Sequence, residues 1–261
     1  DFNEESIKWH NQFKEEPSDR IKLSTQCHSY QLWERGKNMQ KTFQLLRRGD
    51  IEGVRQILDR KPEEVNAVSG DKPKRDQGQS LLQVAIKSGH LDIADLLIDR
   101  GGDVNFIEEP TELNPFCQPV IQTAGGRAVF DCRRTIKRWN GQYEMYSSKE
   151  KADQSFKVFK KMLELGADIS QKDSHGGTLL QTILIETKEV LPFFSWRTKE
   201  TSDNVLITDE LRHDLNRIYD LLIRYGVTSD EISAYYKIPL KELYQDSPTM
   251  EFLNRLDLSK S

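Results

Sequence analysis

The sequence predicts an all-α solenoid of about four two-helix repeats, closed at each end by a helical cap. Three observations carry that expectation. Within Gly78–Asn105, Leu81, Leu82, Ala85 and Ile86 recur at the spacing of a helix face, and Leu91, Ala94, Leu97 and Ile98 do so again after a Gly89-His90 turn. Neither helix is long enough to be stable alone, so the unit needs similar units stacked on it. Finally, the 261 residues are only 36% hydrophobic against 31% charged, a balance suited to a thin core with much surface in water.

Gly101-Gly102 supplies the residues that end the second helix, and Asp103-Val104-Asn105 opens a turn. Gly78, Ser80, Leu82, Ala85, Gly89, His90, Leu91, Ile93, Leu96, Leu97, Gly101, Asp103, Val104 and Asn105 match, or closely substitute, a pattern of D-x-x-G-x-T-P-L-H-x-A, a Gly-His turn, a leucine-rich helix and G-A-D-V-N. The stretch resembles the ankyrin repeat over its whole length, with Leu81 in place of the family's proline and Gln83 in place of its histidine. That resemblance implies an ankyrin-repeat solenoid that binds another protein.

Read in that register, residues 1–37 fall outside the repeat. Ile7, Trp9, Phe13, Tyr30 and Trp33 are expected to form a helical cap over the open end of the stack, or alternatively a separate partner-binding helix. Repeats follow at 38–77, 78–117, 118–172 and 173–226. In the first, Phe43, Leu45 and Leu46 precede Ile51, Val54, Ile57 and Leu58, and a polar finger covers Ala67–Gln77. A second finger spans Phe106–Cys117 with Glu108, Glu109 and Glu112. In the third repeat Gln118-Pro119-Val120-Ile121 takes the T-P-L-H position, and the second helix arrives only at Phe156–Leu165. The fourth places Leu179 and Gln181 in the pattern, with its second helix from Leu211 to Ile223 capped by Thr208-Asp209. Residues 227–261, with Tyr235, Tyr236, Leu240, Phe252 and Leu253, read as a C-terminal helical cap built on a partial fifth repeat.

The third and fourth repeats are therefore interrupted, at 125–153 and 187–207. Insertions at equivalent points of stacked repeats emerge side by side, so the two should form one composite surface, away from the fingers. Before Trp139 the first holds Arg127, Arg133, Arg134, Lys137 and Arg138 against a single acid, Asp131, and Phe130, Trp139, Tyr143 and Tyr146 are interleaved; the second holds Phe193, Phe194, Trp196, Arg197 and Lys199. Arginine and tryptophan carry binding energy at interfaces. The expected partner-binding set is Arg133, Arg134, Lys137, Arg138, Trp139, Tyr143, Phe194, Trp196 and Arg197, and the expected partner a protein with an acidic patch. In the alternative reading the aromatics only fix the insertions to the stack. Charge reversal at Arg133-Arg134, or truncation of Trp196, should abolish partner capture with melting unchanged.

Other functions find less support. A net charge of −4 argues against nucleic acid. No apolar run is long enough to span a membrane, and no signal-peptide core is visible. No cofactor motif appears, and His10, His28, His90, His175 and His213 lack metal-ligand spacing. An enzyme is not expected. The least unfavourable catalytic arrangement pairs Cys132 with His175 or His213, its thiol activated by nearby positive charge. Cys27, Cys117 and Cys132 suggest reduced thiols in the cytoplasm. The Asp1 start suggests a piece of a larger protein, and the glutamine substitutions and insertions resemble divergent bacterial or viral host-directed versions of the family. The alternative function is thus a targeting or inhibitory segment of a larger effector, acting in the host cytoplasm. The residues name no specific partner and no oligomeric state.

Overall fold

The computed structural model describes residues 40–70, 74–112 and 114–257. The chain divides into two compact units, Asp1–Lys41 and Thr42–Ser261. The predicted N-terminal cap at 1–37, with Trp9, Phe13, Tyr30, Trp33 and Cys27, lies outside the described residues. Everything below concerns the second unit.

The second unit is mostly helical. Residues 42–47 are helical, and α1 (Ile51–Arg60) follows, started by Asp50, whose carboxylate accepts from the Gly53 N–H. Next come α2 (Leu81–Ser88) and α3 (Leu91–Asp99). Ser80 caps α2 by accepting from Gln83 N–H, and Gly89 ends it in the left-handed region at φ 76°. Then come α4 (Val120–Phe130), α5 (Lys149–Glu164), α6 (Leu179–Val190) and α7 (Asp209–Arg224), with two short helices, α8 (Leu240–Leu243) and α9 (Thr249–Arg255), at the end. Ser148, Thr178 and Thr208 cap α5, α6 and α7 with their hydroxyls.

The helices pack in two rows. In one, α2 lies on α4 and α4 on α6; in the other, α1 lies on α3, α3 on α5, α5 on α7 and α7 on α9. The core sits between the rows, in Leu46, Val54, Leu82, Ile86, Ile93, Leu97, Ile121, Phe159, Met162, Ile183, Leu215, Tyr219 and Phe252. Antiparallel bridges Val68–Ser80, Ile107–Pro119 and Ile232–Pro239 each narrow a finger just before a helix, α2, α4 and α8 in turn. The fingers are less polar than their composition suggests. Asp76 is buried and held by Arg47, and buried Glu108 pairs with Lys87 while accepting from Gln118 N–H at 3.1 Å.

Neighbouring units are joined by repeated polar contacts. Asn66 donates to Gly101 O at 3.3 Å and accepts from Asp103 N–H at 2.8 Å; Asn105 does the same to Gly166 O and Asp168 N–H, at 3.4 and 2.7 Å. At the next equivalent position Ser170 instead bonds its own neighbour Asp168. Behind these, Gln83 donates to Thr123 at 2.7 Å, and Thr182 donates to Gln122 at 3.2 Å. These contacts place Gln122 opposite Gln83, and Pro119 stands at the N-terminal boundary of α4 where Ser80 stands in α2, without the side-chain bond that Ser80 makes. Pro119–Gln122, rather than Gln118–Ile121, is therefore the stretch equivalent to Ser80–Gln83.

Two features depart from the sequence reading. The first is that the chain is not purely helical. Among the described residues five short strands occur: β1 (Thr135–Lys137), β2 (Tyr143–Met145), β3 (Phe194–Ser195), β4 (Glu200–Thr201) and β5 (Val205–Leu206). The second is that α4 runs on through Gly125 and Gly126 to Phe130. A Cβ on Gly125 would stand 2.9 Å from Leu179 Cδ1 and 3.1 Å from Ile183 Cδ1. The glycines let α4 and α6 approach closely; they do not end the helix. The non-helical interruptions are accordingly shorter than 125–153 and 187–207, lying between α4 and α5 and between α6 and α7.

Candidate functional site

The two interruptions meet in one three-stranded sheet of order β2-β1-β5. β1 and β2 form an antiparallel hairpin within the first interruption, with Lys137 opposite Tyr143 and Thr135 opposite Met145. β5, from the second, pairs with the other edge of β1, placing Leu206 opposite Thr135 and Val205 opposite Ile136. The hairpin turn is closed by Arg138 N–H to Gln142 O at 2.7 Å and by Gly141 N–H to Arg138 O at 2.9 Å, with Gly141 at φ 80°. Asn140-Gly141 was the signal for this hairpin, since that dipeptide supplies the positive φ a tight turn demands.

Successive strand residues point to opposite faces. Val205 is buried on the inner face beside Ile136. On the outer face Met145, Thr135 and Leu206 form a cross-strand row in which Met145 is 50% and Leu206 41% exposed. At the hairpin tip stands Trp139, 99% exposed.

The basic residues are arranged differently from the expected free cluster. Arg133 gives its backbone N–H, Nε and Nη2 to the buried carboxylate of Asp214 on α7, at 2.9–3.0 Å. That hydrogen bonding holds the Arg133 guanidinium above its ordinary pKa. Arg134 is itself buried: it donates to Phe130 O and lies over the Tyr146 ring at 4.1 Å and the Phe130 ring at 4.9 Å. Lys137 pairs with Asp203 from the second interruption, and the Tyr143 hydroxyl donates to Asp203 O at 2.8 Å. Arg138 pairs with Glu144 at 2.7 Å, and Arg127 with Asp131 at 2.6 Å. Only Asp131 stands among these basic residues in the sequence, because Glu144 lies on the facing strand β2, Asp203 in the loop before β5 and Asp214 on α7. Charge reversal at Arg133-Arg134 should therefore lower melting, contrary to the simple expectation from sequence.

In the second interruption Phe194 is buried, with its ring edge-on to Trp196 at 5.0 Å. Trp196 is 43% exposed, Arg197 is exposed in the β3–β4 turn, and Lys199 lies over the Trp196 ring at 5.2 Å. This hairpin does not stand clear of the fingers. Trp196 and Lys199 share a groove of about 410 Å³ with Tyr236 and Ile238 of the last finger and Glu242, Leu243 and Gln245 at α8. The structure thus joins Arg133, Arg134, Lys137, Arg138, Trp139 and Tyr143 in the sheet region, and sets Phe194, Trp196 and Arg197 on the separate β3–β4 hairpin.

A second groove of about 310 Å³ opens on the first row of helices, lined by Gln122, Thr123, Arg127, Thr182 and Glu186 among others. Burial, reinforced by the charge of Glu189, raises the Glu186 carboxyl above the usual carboxylate range.

Cys132 is 1% exposed and its thiol donates to Ala128 O at 3.4 Å; burial pushes its pKa far above the usual thiol value. His213 is exposed on α7, and His175 stacks on Phe116 at 5.2 Å. Since a thiolate is the nucleophilic form, iodoacetamide at neutral pH should leave Cys132 unmodified in the native protein and alkylate it once urea unfolds the chain. Peptide mass spectrometry reads the difference; native labelling of Cys132 would show that the helix end opens.

Among the described residues, no group of three or more His, Cys, Asp or Glu side chains is placed to hold a metal ion, and no helix is long and apolar enough to cross a membrane. Residues 77–106 match the family model described as ankyrin repeat. No curated protein matches the chain.

Proposed function

With an ankyrin repeat at residues 77–106 assigning the chain to that family, we propose that it works as a protein–protein interaction module whose principal anchor is Trp139. The finer reading is a solenoid of about four repeats with helical caps, binding through its fingers, its concave face and the sheet made by the two interruptions. One observation carries the assignment of the anchor: Trp139 is 99% exposed at the tip of a hairpin whose base is fixed by β5 and by the Arg133–Asp214 pair. A tryptophan left wholly in water on a positioned hairpin is poised to bury its ring in a partner's pocket. The outer row of Met145 and Leu206 extends the apolar area, while Lys137 and Arg138, each already paired, form a charged rim. Binding energy thus comes chiefly from apolar burial, with the arginines holding the hairpin in place.

The test is affinity capture with the full chain and with Trp139→Ala. Loss of a central anchor costs at least about 2 kcal/mol, roughly 30-fold in affinity, so the captured partner should disappear while the melting temperature stays put. Undiminished capture by Trp139→Ala would shift the interaction to the fingers or the concave groove.

A further inference from the structure

Among the described residues, three non-glycine residues have φ in the left-handed region: Lys199 at 59°, Lys237 at 60° and Asp246 at 65°. All three surround one place. Lys199 lines the groove beneath the β3–β4 hairpin; Lys237 stands between Tyr236 and Ile238, which also line it; Asp246 follows Gln245 in its wall and meets Lys199 at 3.5 Å. These turns would ordinarily take glycine, and such strain collects where a surrounding structure clamps a ligand.

The chemistry of the walls indicates which ligand. Trp196 and Tyr236 present exposed aromatic surface, Leu243 and Ile238 supply an apolar lining, and Glu242 is exposed and unpaired. Aromatic faces attract cations, and a carboxylate beside them reinforces the preference. The site already holds one: the Lys199 ammonium lies 5.2 Å from the Trp196 ring centre and 5.9 Å from that of Phe194. Lys199 is tethered by its own strained backbone and by a long contact to Asp246, so it fills the position without filling the groove.

We propose that this groove docks a basic side chain, lysine or arginine, from a partner polypeptide, seated on Trp196 where Lys199 now lies and facing Glu242. The proposal rests on the interaction-module reading but uses a surface distinct from the Trp139 tip. Among the described residues that line the groove, Lys199 has Asp246 as its partner while Glu242 has no ion pair, so the lining itself disfavours an acidic occupant. An arginine guanidinium is the better fit of the two cations, because its plane stacks on an indole while its edge reaches a carboxylate.

Titration of the 261-residue chain with N-acetyl-arginine N-methylamide, followed by the indole N–H resonances and assigned with Trp196→Phe, tests this. The Trp196 signal should move saturably, and the glutamate counterpart should leave it still. Removing the internal competitor in Lys199→Ala should tighten binding about threefold, whereas Glu242→Lys should weaken it at least about fivefold. Both substitutions are at exposed positions, and an unchanged melting temperature confirms that each variant is folded. A merely structural role for Lys199 predicts no gain. No saturable shift, a response to the glutamate amide alone, or weaker binding in Lys199→Ala each overturns the proposal. Trp139→Ala should keep the Trp196 response even as it loses the captured partner, so failure of the groove and failure of the anchor are read separately.

Discussion

Replacing Asp214 with alanine should lower the unfolding free energy by roughly 3–5 kcal/mol, the cost of leaving a partner's charge in a buried site without compensation. Asp214 is fully buried on α7 and accepts three hydrogen bonds from Arg133, with Arg217 a further 3.6 Å away. Its removal strands the Arg133 guanidinium and backbone N–H together. Because the pair is out of solvent, added salt should recover little of the loss. Asp214→Asn keeps an acceptor oxygen and should fall between the alanine variant and the native protein. Urea unfolding measures the totals, and hydrogen exchange locates them: β1–β2 amides should lose protection first. An alanine variant as stable as the native chain would mean that the hairpin is held by the sheet alone.

Gly78→Ala should cost about 3 kcal/mol, combining a left-handed backbone with a collision. Gly78 has φ 76°, and a Cβ there would lie 2.3 Å from the Glu109 carbonyl oxygen, a backbone atom that cannot rotate away. Gly78 also gives its N–H to Ser69 O and receives Glu109 N–H at 2.8 Å, so it stitches one finger to the next. Gly101→Ala is the control. Its φ of 87° is as demanding, but nothing lies within 4 Å of the added methyl, so it should cost only about 1 kcal/mol. Equal losses in thermal or urea unfolding would remove the collision from the account.

The Gly78–Asn105 unit was legible because its information is local. Ser80 caps, Gly89 and Gly101 turn, and the leucines mark one face, all within the helices they govern. The stretches between α4 and α5 and between α6 and α7 stood out as departures from that register, and β1 and β5 pair across them. What filled them was not legible. β1 is three residues long and β5 two, too short for alternation to register against noise. The pairing of β1 with β5 spans about seventy residues, which no window reveals. Gly125-Gly126 read as a break because their helical role depends on α6 lying over them, Leu179 and Ile183 at Gly125 and Thr182 and Glu186 at Gly126. The arginines misled for the same reason. Arg133 and Asp214 are far apart in sequence, so a cluster that looks unbalanced along the chain is neutralised in space.

The substitution of Ser170 for asparagine has a mechanical consequence. Where Asn66 and Asn105 each bond one unit to the next, Ser170 turns back on its own loop, and that joint goes without an asparagine bridge. The β1–β5 pairing and the Arg133–Asp214 contact span the same joint from its opposite side, like a strap across a hinge. Tension applied at Trp139 is therefore borne by the strap before it reaches the joint. A partner that pulls on the hairpin would therefore load the β1–β5 pairing and the Arg133–Asp214 contact first, and through them the helices that these join.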